Sequence, residues 1–490
     1  MRASTYPLID AGEAAALVLE HTPVLSVERL ALAECAGRAL AEDLVADAPL
    51  PAFPSSAVDG FAVRAADAGR TLRVVGESAA GRPFDGAIPP GAAARILTGG
   101  ALPDGADCVV MVEDVQLAED QVTVPPSLRP GANYHKVGDD LRAGDRILTA
   151  GTQLGAAEIG IAAATGLAQL PVRRRPRVAL MSTGDELVEV GKRLGRGQIP
   201  DSNRWALLAA LREAGAEVHV LGIAPDEPEP LRRLVVDALE DADALVTSGG
   251  VSVGTHDLVK PLLESLGTVH IGRVKLKPGK PFTFATIGIH APLPDPLPWG
   301  ERERKVAFGL PGFPVSSLVT FEVFVRPALR KMQGFAQVQR PTLPVRLAYE
   351  AKPTADRTEY QRVTLRREGR ELVAETTGSQ SSSRLMSLAG AHALGRSHLP
   401  MNGEDNYQGL GSRTDSASRS RASLSRSSSV FSRTSSRMSR PARRTLSAAC
   451  SAFPFISSDL SPVSLPFSSS ALPLISSFIR TSLREMFLTR

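Results

Sequence analysis

Three glycines and two serines lie close together in residues 248–254 (SGGVSVG). The segment follows an apolar run and precedes a predicted helix, and in that position backbone N–H groups and a helix N-terminus can cradle a phosphate. Glycine allows the backbone to approach a ligand closely, and each serine adds a hydroxyl donor. The segment therefore predicts a loop that binds an anionic, nucleotide-like substrate, with a Gly-rich turn that holds no ligand as the alternative.

Two carboxylates follow a neighbouring predicted strand. Asp185 and Glu186 lie in residues 182–186 (STGDE), so the strand arrangement would bring them to the same crevice as the Gly-rich segment. Carboxylates beside a bound phosphate usually imply Mg²⁺, because bare carboxylates would repel the ligand. A helix N-cap formed by Thr183 or Asp185 is the alternative interpretation, and both roles can coexist.

Basic residues and a rigid turn supply two further candidate groups. Lys275, Lys277 and Lys280 lie in residues 274–281 (VKLKPGKP), where their ammonium groups could bind an oxyanion or belong to a solvated basic hairpin. Residues 311–314 (PGFP) end a predicted strand, so this turn could present backbone N–H groups to the crevice or serve as an ordinary connection. The spacing of the eight histidines gives no support for a zinc site.

The elements that must position these residues alternate between strand and helix. Apolar runs predict strands over residues 177–181, 218–223, 244–247 and 306–310, and helical periodicity predicts helices over 205–214, 231–239 and 315–332. This alternation indicates a parallel sheet covered by helices on both faces, with functional loops at the carboxyl ends of the strands. A Pro-rich stretch at 290–304 interrupts the pattern and is expected to be a disordered surface insertion.

Smaller domains are predicted on either side, which makes the fold class α/β multidomain. Residues 1–46 and 141–172 are expected to form a helical linker domain, with helices over 8–21, 27–35 and 154–167. Residues 47–140 are expected to form a small β-rich domain, and residues 173–332 the three-layer α/β domain. An incomplete C-terminal β domain over 337–394 and a disordered Ser/Arg-rich tail over 395–490 complete the prediction.

The positive charge of the chain is concentrated in its tail. Residues 395–490 carry 13 Arg, no Lys and 5 acidic residues, so the net charge of +4 leaves the first 394 residues at −4. The folded part therefore lacks the net positive charge that nucleic acid or a membrane would attract. Three distant cysteines, the lack of a signal-peptide pattern and the lack of a long apolar run predict reduced thiols and a cytoplasmic protein.

Several strings of the sequence together resemble the molybdopterin molybdenumtransferases, in order from the N-terminus to about Ala393. These strings are residues 56–62 (SAVDGFA), 97–99 (LTG), 105–107 (GAD), 182–187 (STGDEL), 201–204 (DSNR), 248–257 (SGGVSVGTHD), 277–281 (KPGKP) and 357–362 (RTEYQR). The resemblance implies insertion of molybdate into the dithiolene of adenylylated molybdopterin, with release of AMP and the molybdenum cofactor. It also implies a homodimer whose active site draws on two subunits.

The same resemblance implies roles for particular residues. Those implied in catalysis are Asp59, Glu186, Asp226 and Asp257, and the last three would hold a divalent cation, expected to be Mg²⁺. Those implied in substrate binding are Thr98, Thr183, Ser248, Gly249, Gly250, Ser252, Lys277, Lys280, Pro311, Pro314, Arg357 and Ser382. Among them, Ser248, Gly249 and Gly250 would bind phosphate, and Lys277, Lys280, Arg357 and Ser382 would hold molybdate. Asp59 and Thr98 would come from the partner subunit.

The chain departs from the family pattern at several places. The usual Asn of the Pro-Gly-Asn-Pro turn is Phe313, a usual Arg is replaced by His135, and a usual Tyr is replaced by Pro200. The abrupt start of the Ser/Arg-rich tail resembles a shifted reading frame. These departures predict a reduced activity.

The sequence is also compatible with three alternative functions. A molybdopterin adenylyltransferase resembles the α/β domain alone, and a non-catalytic molybdopterin-binding scaffold would retain the whole fold. RNA binding through the Ser/Arg-rich tail is a third alternative, although no nucleic-acid or membrane partner is expected. The expected protein partners are the molybdopterin adenylyltransferase and maturation factors of molybdoenzymes.

Overall fold

A six-stranded mixed sheet carries the Gly-rich loop. The computed structural model of the protein describes residues 6–225, 227–250, 258–288, 305–349, 356–397 and 448–452. The strands of this sheet, from one edge to the other, are Glu217–Ile223, Arg177–Ser182, Ala244–Ser248, Lys305–Leu310, Thr283–Ile287 and Gly267–Ile271. The first four strands are parallel, and each of the last two is antiparallel to the strand before it. All strands except Thr283–Ile287 therefore run in the same direction, and these five end at the same edge.

Helices connect these strands, as the alternating pattern predicts. They are Ser202–Glu213, Pro228–Asp241, Val259–Leu266, Pro314–Thr320 and Arg326–Met332, with a π-helical turn, Phe321–Val325, joining the last two. Local sequence explains where two of these helices begin. Asp201, before helix Ser202–Glu213, accepts a hydrogen bond from Arg204 N at 3.1 Å, and Pro228 occupies the first turn of helix Pro228–Asp241. The predicted α/β multidomain fold class is confirmed by this sheet and by the β structure on either side of it.

The central strands are buried on both faces. Ala179 and Leu245 pack with side chains of helices Pro228–Asp241 and Val259–Leu266. Val178 precedes Ala179 in the same strand and therefore belongs to the opposite face of the sheet, where it is equally buried. A parallel sheet covered on both faces requires nearly continuous apolar strands, and these strands meet that requirement. The burial fixes the strand ends, and thereby the loops that leave them.

A second six-stranded sheet forms the β-rich part of the chain. Its strands in order are Cys108–Met111, Gly60–Val63, Ala92–Ile96, Thr71–Ser78, Gln121–Thr123 and Gln116–Ala118. Gly60 lies so close to the neighbouring strand that a Cβ there would come within 1.9 Å of the carbonyl oxygen of Val110. Only glycine fits at this contact, which fixes the position of Asp59 immediately before it.

The predicted helical linker domain contains strands as well as helices. Helices Ala11–His21 and Ala156–Ala164 lie within two of the predicted helices, but the helix predicted over residues 27–35 is wrong. Val27–Ala31 is a strand that pairs antiparallel with Gln169–Arg173, and a single 3-10 turn follows it. Exposure alternates along this strand, and its partner is remote in sequence, so the local pattern was a poor guide.

The terminal sheet closes on itself and includes residues of the predicted tail. Its strands are Leu276–Lys277, Thr358–Glu368, Glu371–Thr376, Thr342–Leu347, Ala448–Ala452 and Ala393–Ser397, and the last pairs back onto the second. The prediction that disorder begins at residue 395 is therefore wrong, because backbone pairing continues to Ser397 and includes Ala448–Ala452. The Pro-rich insertion and residues 398–447 and 453–490 lie outside the described residues.

One buried ammonium group joins the central sheet to a helix end. Lys305 is only 4% exposed, and its Nζ donates hydrogen bonds to the carbonyl oxygens of Leu239, of Glu240 at 3.2 Å and of Ala242 at 2.9 Å. These carbonyl groups lie at the end of helix Pro228–Asp241, where helical N–H donors run out and a cation is favourable. The contact holds the helix against the strand that leads to residues 311–314.

Replacing Lys305 with methionine should lower the free energy of unfolding by about 1–3 kcal/mol, because it leaves buried carbonyl groups without a donor. Arg233→Met is the matched control, since Arg233 is exposed on the same helix. Urea unfolding followed by circular dichroism would compare both variants with the unmodified chain. An unchanged midpoint for Lys305→Met would contradict the structural role of this ammonium group.

Candidate anion-binding site

A cavity of about 1000 Å³ opens where the parallel strands end. The Gly-rich loop, the turn at residues 311–314 and the start of helix Ser202–Glu213 line one side, and residues of the terminal sheet line the other. The predicted site residues that line it are Thr183, Glu186, Ser248, Gly249, Gly250, Lys277, Lys280, Pro311, Pro314, Arg357 and Ser382. A cavity of this size suits a ligand larger than a simple anion.

The Gly-rich loop begins in a conformation that favours glycine. Gly249 and Gly250 have φ values of +89° and +65°, and a Cβ on Gly249 would lie 2.4 Å from the carbonyl oxygen of Thr183. A Cβ on Gly250 would lie 2.7 Å from the Thr183 hydroxyl oxygen. The loops that leave two adjacent parallel strands are therefore packed against each other without intervening side chains. Such a surface lets a ligand approach main-chain N–H groups.

The hydroxyl oxygen of Thr183 is buried and has no hydrogen-bond partner within the described part of the chain. A buried polar group without a partner costs free energy unless a ligand, a cation or water satisfies it. Thr183 lies against both glycines of the loop. This unsatisfied hydroxyl group therefore favours a polar ligand at the loop over an empty Gly-rich turn.

Asn203 joins two loops of the site. Its Nδ2 donates hydrogen bonds to Ser248 Oγ at 2.8 Å and to the carbonyl oxygen of Gly312 at 2.6 Å. The amide is held in place because Asn203 stands in the first turn of helix Ser202–Glu213, whose N-cap is Asp201. Sequence reasoning includes Asn203 in a family motif but gives it no role, because its two partners are remote in sequence.

Arg204 stabilises the start of the same helix through two ion pairs. Its guanidinium is almost fully buried, with Nη2 2.6 Å from Glu189 Oε2 and Nε 3.0 Å from Asp201 Oδ2. A planar guanidinium presents several N–H donors in a fixed fork, so it can contact two carboxylates at once. The contact with Glu189 also fixes the loop around residues 187–200, whose Pro200 lines the cavity.

Three cationic side chains line the opposite side of the cavity. Lys277, Lys280 and Arg357 are brought together because the short strand Leu276–Lys277 pairs with the start of strand Thr358–Glu368. Lys277 Nζ also lies 3.3 Å from Glu359 Oε1, and that carboxylate holds the lysine side chain in position. A cluster of this kind suits an oxyanion that carries more than one negative charge.

A serine-rich loop at residues 380–383 completes this cationic side. The guanidinium of Arg362, a residue only 1% exposed, donates hydrogen bonds to Ser387 Oγ at 3.0 Å and to the carbonyl oxygen of Ser381 at 3.2 Å. Burial lowers the pKa of Arg362, and the negative charge of Glu359 opposes that effect. Arg362 therefore holds the loop without lining the cavity itself, a role that sequence reasoning missed.

Ser382 connects the two sides of the cavity. Its carbonyl oxygen accepts a hydrogen bond from Val315 N at 3.1 Å. Val315 belongs to the first turn of helix Pro314–Thr320, where main-chain N–H groups have no helical acceptor. The serine-rich loop is thus fastened to the helix that follows the turn at residues 311–314.

Asp59 and Thr98 lie outside this cavity, in the β-rich part of the chain. Oδ1 of Asp59 accepts hydrogen bonds from N and Oγ1 of Thr98, both at 2.7 Å. These bonds lower the pKa of Asp59, with the backbone N–H of Thr98 as the largest cause. The two predicted residues are therefore paired and exposed, but neither of them lines the cavity beside Ser248 and Lys277.

Only one of the three predicted metal ligands lies among the described residues. Glu186 lines the large cavity and an adjoining one of about 270 Å³, whereas Asp226, Asp257 and the predicted substrate-binding Ser252 lie outside the described residues. Among the residues that are described, no group of three or more His, Cys, Asp or Glu side chains could hold a metal ion. The carboxylate of Glu186 and the hydroxyl group of Thr183 are oxygen donors, which fit Mg²⁺.

A Gly-rich loop that faces a cationic wall across one cavity defines an α/β protein of the anion-binding class. Family models refine this class over three parts of the chain. The MoeA N-terminal region (domain I and II) matches residues 9–166, and the MoeA C-terminal region (domain IV) matches residues 344–396. The model described as "Probable molybdopterin binding domain" matches residues 179–331, which include the Gly-rich loop.

Curated relatives agree with these matches. The chain is 39% identical over 338 residues to the molybdopterin molybdenumtransferase of Haemophilus influenzae, covering 68% of this chain and 80% of the relative. It is 40% identical over 368 residues to that of Nostoc, covering 73% and 82%. The chain belongs to the molybdopterin molybdenumtransferases, which are transferases of molybdenum cofactor biosynthesis. It is also 36% identical to gephyrin of Dictyostelium discoideum over 432 residues, which span 80% of this chain but only 60% of gephyrin.

Solved structures of the same family also match this chain. Two crystal structures of the molybdopterin biosynthesis moeA protein from Pyrococcus horikoshii match with TM-scores of 0.67 and 0.68, at 30% and 26% identity. They cover 80% and 81% of this chain and 95% and 97% of the solved chains. The family that the sequence strings resemble is thereby confirmed. No helix of the described residues combines the length and the apolar character needed to cross a membrane.

Replacing Gly249 with alanine should weaken AMP binding by at least about tenfold, because a Cβ would collide with the carbonyl group of Thr183 and displace the loop. Gly191→Ala is the matched control, since Gly191 has a similar φ of +87° and a Cβ there would meet nothing within 4 Å. Isothermal titration with AMP would give the dissociation constants, and calorimetric unfolding would verify that both variants fold. If both variants bound AMP equally well, the loop would not be the phosphate site.

Proposed function

We propose that this chain inserts molybdate into the dithiolene of adenylylated molybdopterin and releases AMP. One observation carries the proposal, namely that a single cavity unites the Gly-rich loop with Lys277, Lys280 and Arg357. An adenylylated pterin phosphate needs main-chain donors for its phosphates, and molybdate, a tetrahedral dianion, needs cationic donors. A cavity that had only one of these two sides would not serve both substrates.

The two sides of the cavity have different proposed roles. The groups proposed for the phosphates are Thr183, Ser248, Gly249, Gly250 and Ser252. The groups proposed for molybdate are Lys277, Lys280, Arg357 and Ser382. Pro311 and Pro314 restrict the backbone of the turn between the two sides, so its main-chain groups stay in place when the substrates bind.

As molybdate reaches the dithiolene, molybdenum bonds to the two sulfurs, and the two thiol protons leave with one molybdate oxygen as water. Cleavage of the phosphoanhydride releases AMP. In this step a water molecule adds to one phosphorus, loses a proton and displaces the bridging oxygen, so the products are AMP and the phosphate of the pterin. Negative charge grows on the phosphate oxygens, and preorganised N–H and ammonium donors stabilise it. The carboxylates proposed to orient the water and the substrate are Asp59, Glu186, Asp226 and Asp257.

A divalent cation, expected to be Mg²⁺, would neutralise phosphate charge when it is bound. Glu186, Asp226 and Asp257 are the proposed ligands. The oxygen donors beside the loop support this choice, because hard cations prefer carboxylate and hydroxyl oxygens. Without a cation these carboxylates would repel the phosphates that the loop attracts.

A homodimer is the proposed assembly, with Asp59 and Thr98 of one subunit completing the cavity of the other. The exposure of this hydrogen-bonded pair, away from the cavity of its own chain, supports the arrangement. The proposed protein partners are the adenylyltransferase that prepares the substrate and the maturation factors that receive the cofactor. The proposed location is the cytoplasm.

Lys277, Lys280, Arg357 and Ser382 together are called the oxyanion wall. Replacing Lys280 with alanine should raise the KM for molybdate by about tenfold or more, because it removes a cation from this wall. The KM for adenylylated molybdopterin should stay within about twofold. Lys192→Ala is the control, since Lys192 is exposed and does not line the cavity. AMP release and cofactor formation from the two purified substrates would be measured together.

The unmodified chain also tests the proposal in this assay. Substrate binding without turnover would show a non-catalytic scaffold instead. Formation of adenylylated molybdopterin from ATP and molybdopterin, without molybdate insertion, would show an adenylyltransferase.

Replacing Asp257 with asparagine should slow AMP release by about a hundredfold, since the amide keeps the shape of the side chain but loses the charge that holds the cation. Asp237→Asn makes the same chemical change on an exposed helix position and should leave the rate unchanged. The rate of AMP release would be followed over a series of Mg²⁺ concentrations. A rate equal to that of the unmodified chain at every concentration would remove Asp257 from the proposed metal site.

A further inference from the structure

Phe313 is a large apolar side chain that remains open to solvent in the cavity. It is 60% exposed, whereas Phe282, Phe284 and Phe308 of the same α/β part are completely buried. It lines the cavity together with Lys280 and Arg357. A ring in such a place contributes little to the core, so its value to the protein lies in what it contacts when the cavity is filled.

The backbone that carries this ring is held on both sides. The carbonyl oxygen of Phe313 accepts a hydrogen bond from Ser317 N at 2.9 Å, which begins helix Pro314–Thr320. The carbonyl oxygen of the preceding Gly312 accepts the bond from Asn203 at 2.6 Å. The ring is therefore presented from a fixed turn, and packing a ligand on it orders little more than the side chain itself.

The turn places Phe313 between the two chemical sides of the cavity. On one side, a Cβ on Gly312 would lie only 3.9 Å from the Cα of Gly249 in the Gly-rich loop. On the other side, Val315 bonds to Ser382 in the oxyanion wall. A ligand that spans the cavity from the Gly-rich loop to Lys277, Lys280 and Arg357 would therefore lie close to the turn that carries this ring.

We propose that Phe313 stacks on the flat heterocycle of the substrate and so helps to select it. The inference rests on the proposed function, in which the pterin carries both the phosphate held by the loop and the dithiolene that receives molybdate. Aromatic rings pack favourably on flat nitrogen heterocycles, and the gain tolerates small differences in orientation. The substrate also contains adenine, which lies beyond the phosphates, whereas the pterin ring is bonded directly to the dithiolene. Phe313 shares the cavity with the cationic side chains proposed to receive molybdate at that dithiolene, and its turn is fastened to Ser382, so we assign the ring to the pterin.

Binding measurements with three variants test this assignment. Molybdopterin kept under anaerobic conditions and AMP would be titrated separately into the unmodified chain, Phe313→Leu, Phe313→Tyr and the control Phe53→Leu. Phe53 is 52% exposed and does not line the cavity. Phe313→Leu should weaken molybdopterin binding by about tenfold and leave AMP binding unchanged, while Phe313→Tyr should retain the affinity for both.

The possible outcomes separate this inference from the proposed function. An unmodified chain that does not bind molybdopterin would overturn both. If the unmodified chain binds and Phe313→Leu binds equally well, only the inference about Phe313 fails. Loss of AMP affinity alone would overturn the assignment to the pterin. Unchanged affinities together with an altered oligomeric state, measured by light scattering, would make the ring a subunit contact and likewise overturn the proposal.

Discussion

The packing of Gly249 and Gly250 against Thr183 is the contact on which the site depends. Their loops leave adjacent parallel strands at the same edge of the sheet, and there is no space between them for a Cβ. The contact leaves the Thr183 hydroxyl group without a partner among the described residues, a cost that binding of an anion or cation can remove. Direct pairing of the two buried strands keeps these loops at that distance, and Asn203 joins the Gly-rich loop to the turn at residues 311–314.

The oxyanion wall is built differently, from parts of the chain that are far apart in sequence. Lys277 belongs to the α/β region by position, but its short strand pairs with the terminal sheet. The buried Arg362 holds the serine-rich loop through hydrogen bonds to oxygen atoms, which offset much of the cost of burying its charge. Under the proposed function, the terminal sheet and the binding of the oxyanion therefore both depend on Arg362, so a variant at this residue would affect both.

Sequence periodicity predicted the four parallel strands of the central sheet, because its inner strands are apolar and buried throughout, but it did not predict the antiparallel pair Gly267–Ile271 and Thr283–Ile287. It failed at Val27–Ala31, whose strand exists only because Gln169–Arg173 pairs with it. The Gly-rich loop and the lysines were recognisable from residue type and spacing alone. Asn203 and Arg362 were not, since their roles come from contacts that the sequence does not display. The roles of Asp226, Asp257 and Ser252 stay predictions.

The pairing of Leu276–Lys277 with strand Thr358–Glu368 has a consequence for synthesis on the ribosome. Chains generally begin to fold from the N-terminus as they emerge. The sheet that positions Gly249 can form once strand Lys305–Leu310 has emerged, but the strand of Lys277 cannot pair until Glu359 follows. Under the proposed function, a nascent chain can therefore retain nucleotide phosphates before it can retain molybdate. Metal transfer then begins only on a chain whose terminal sheet has been translated.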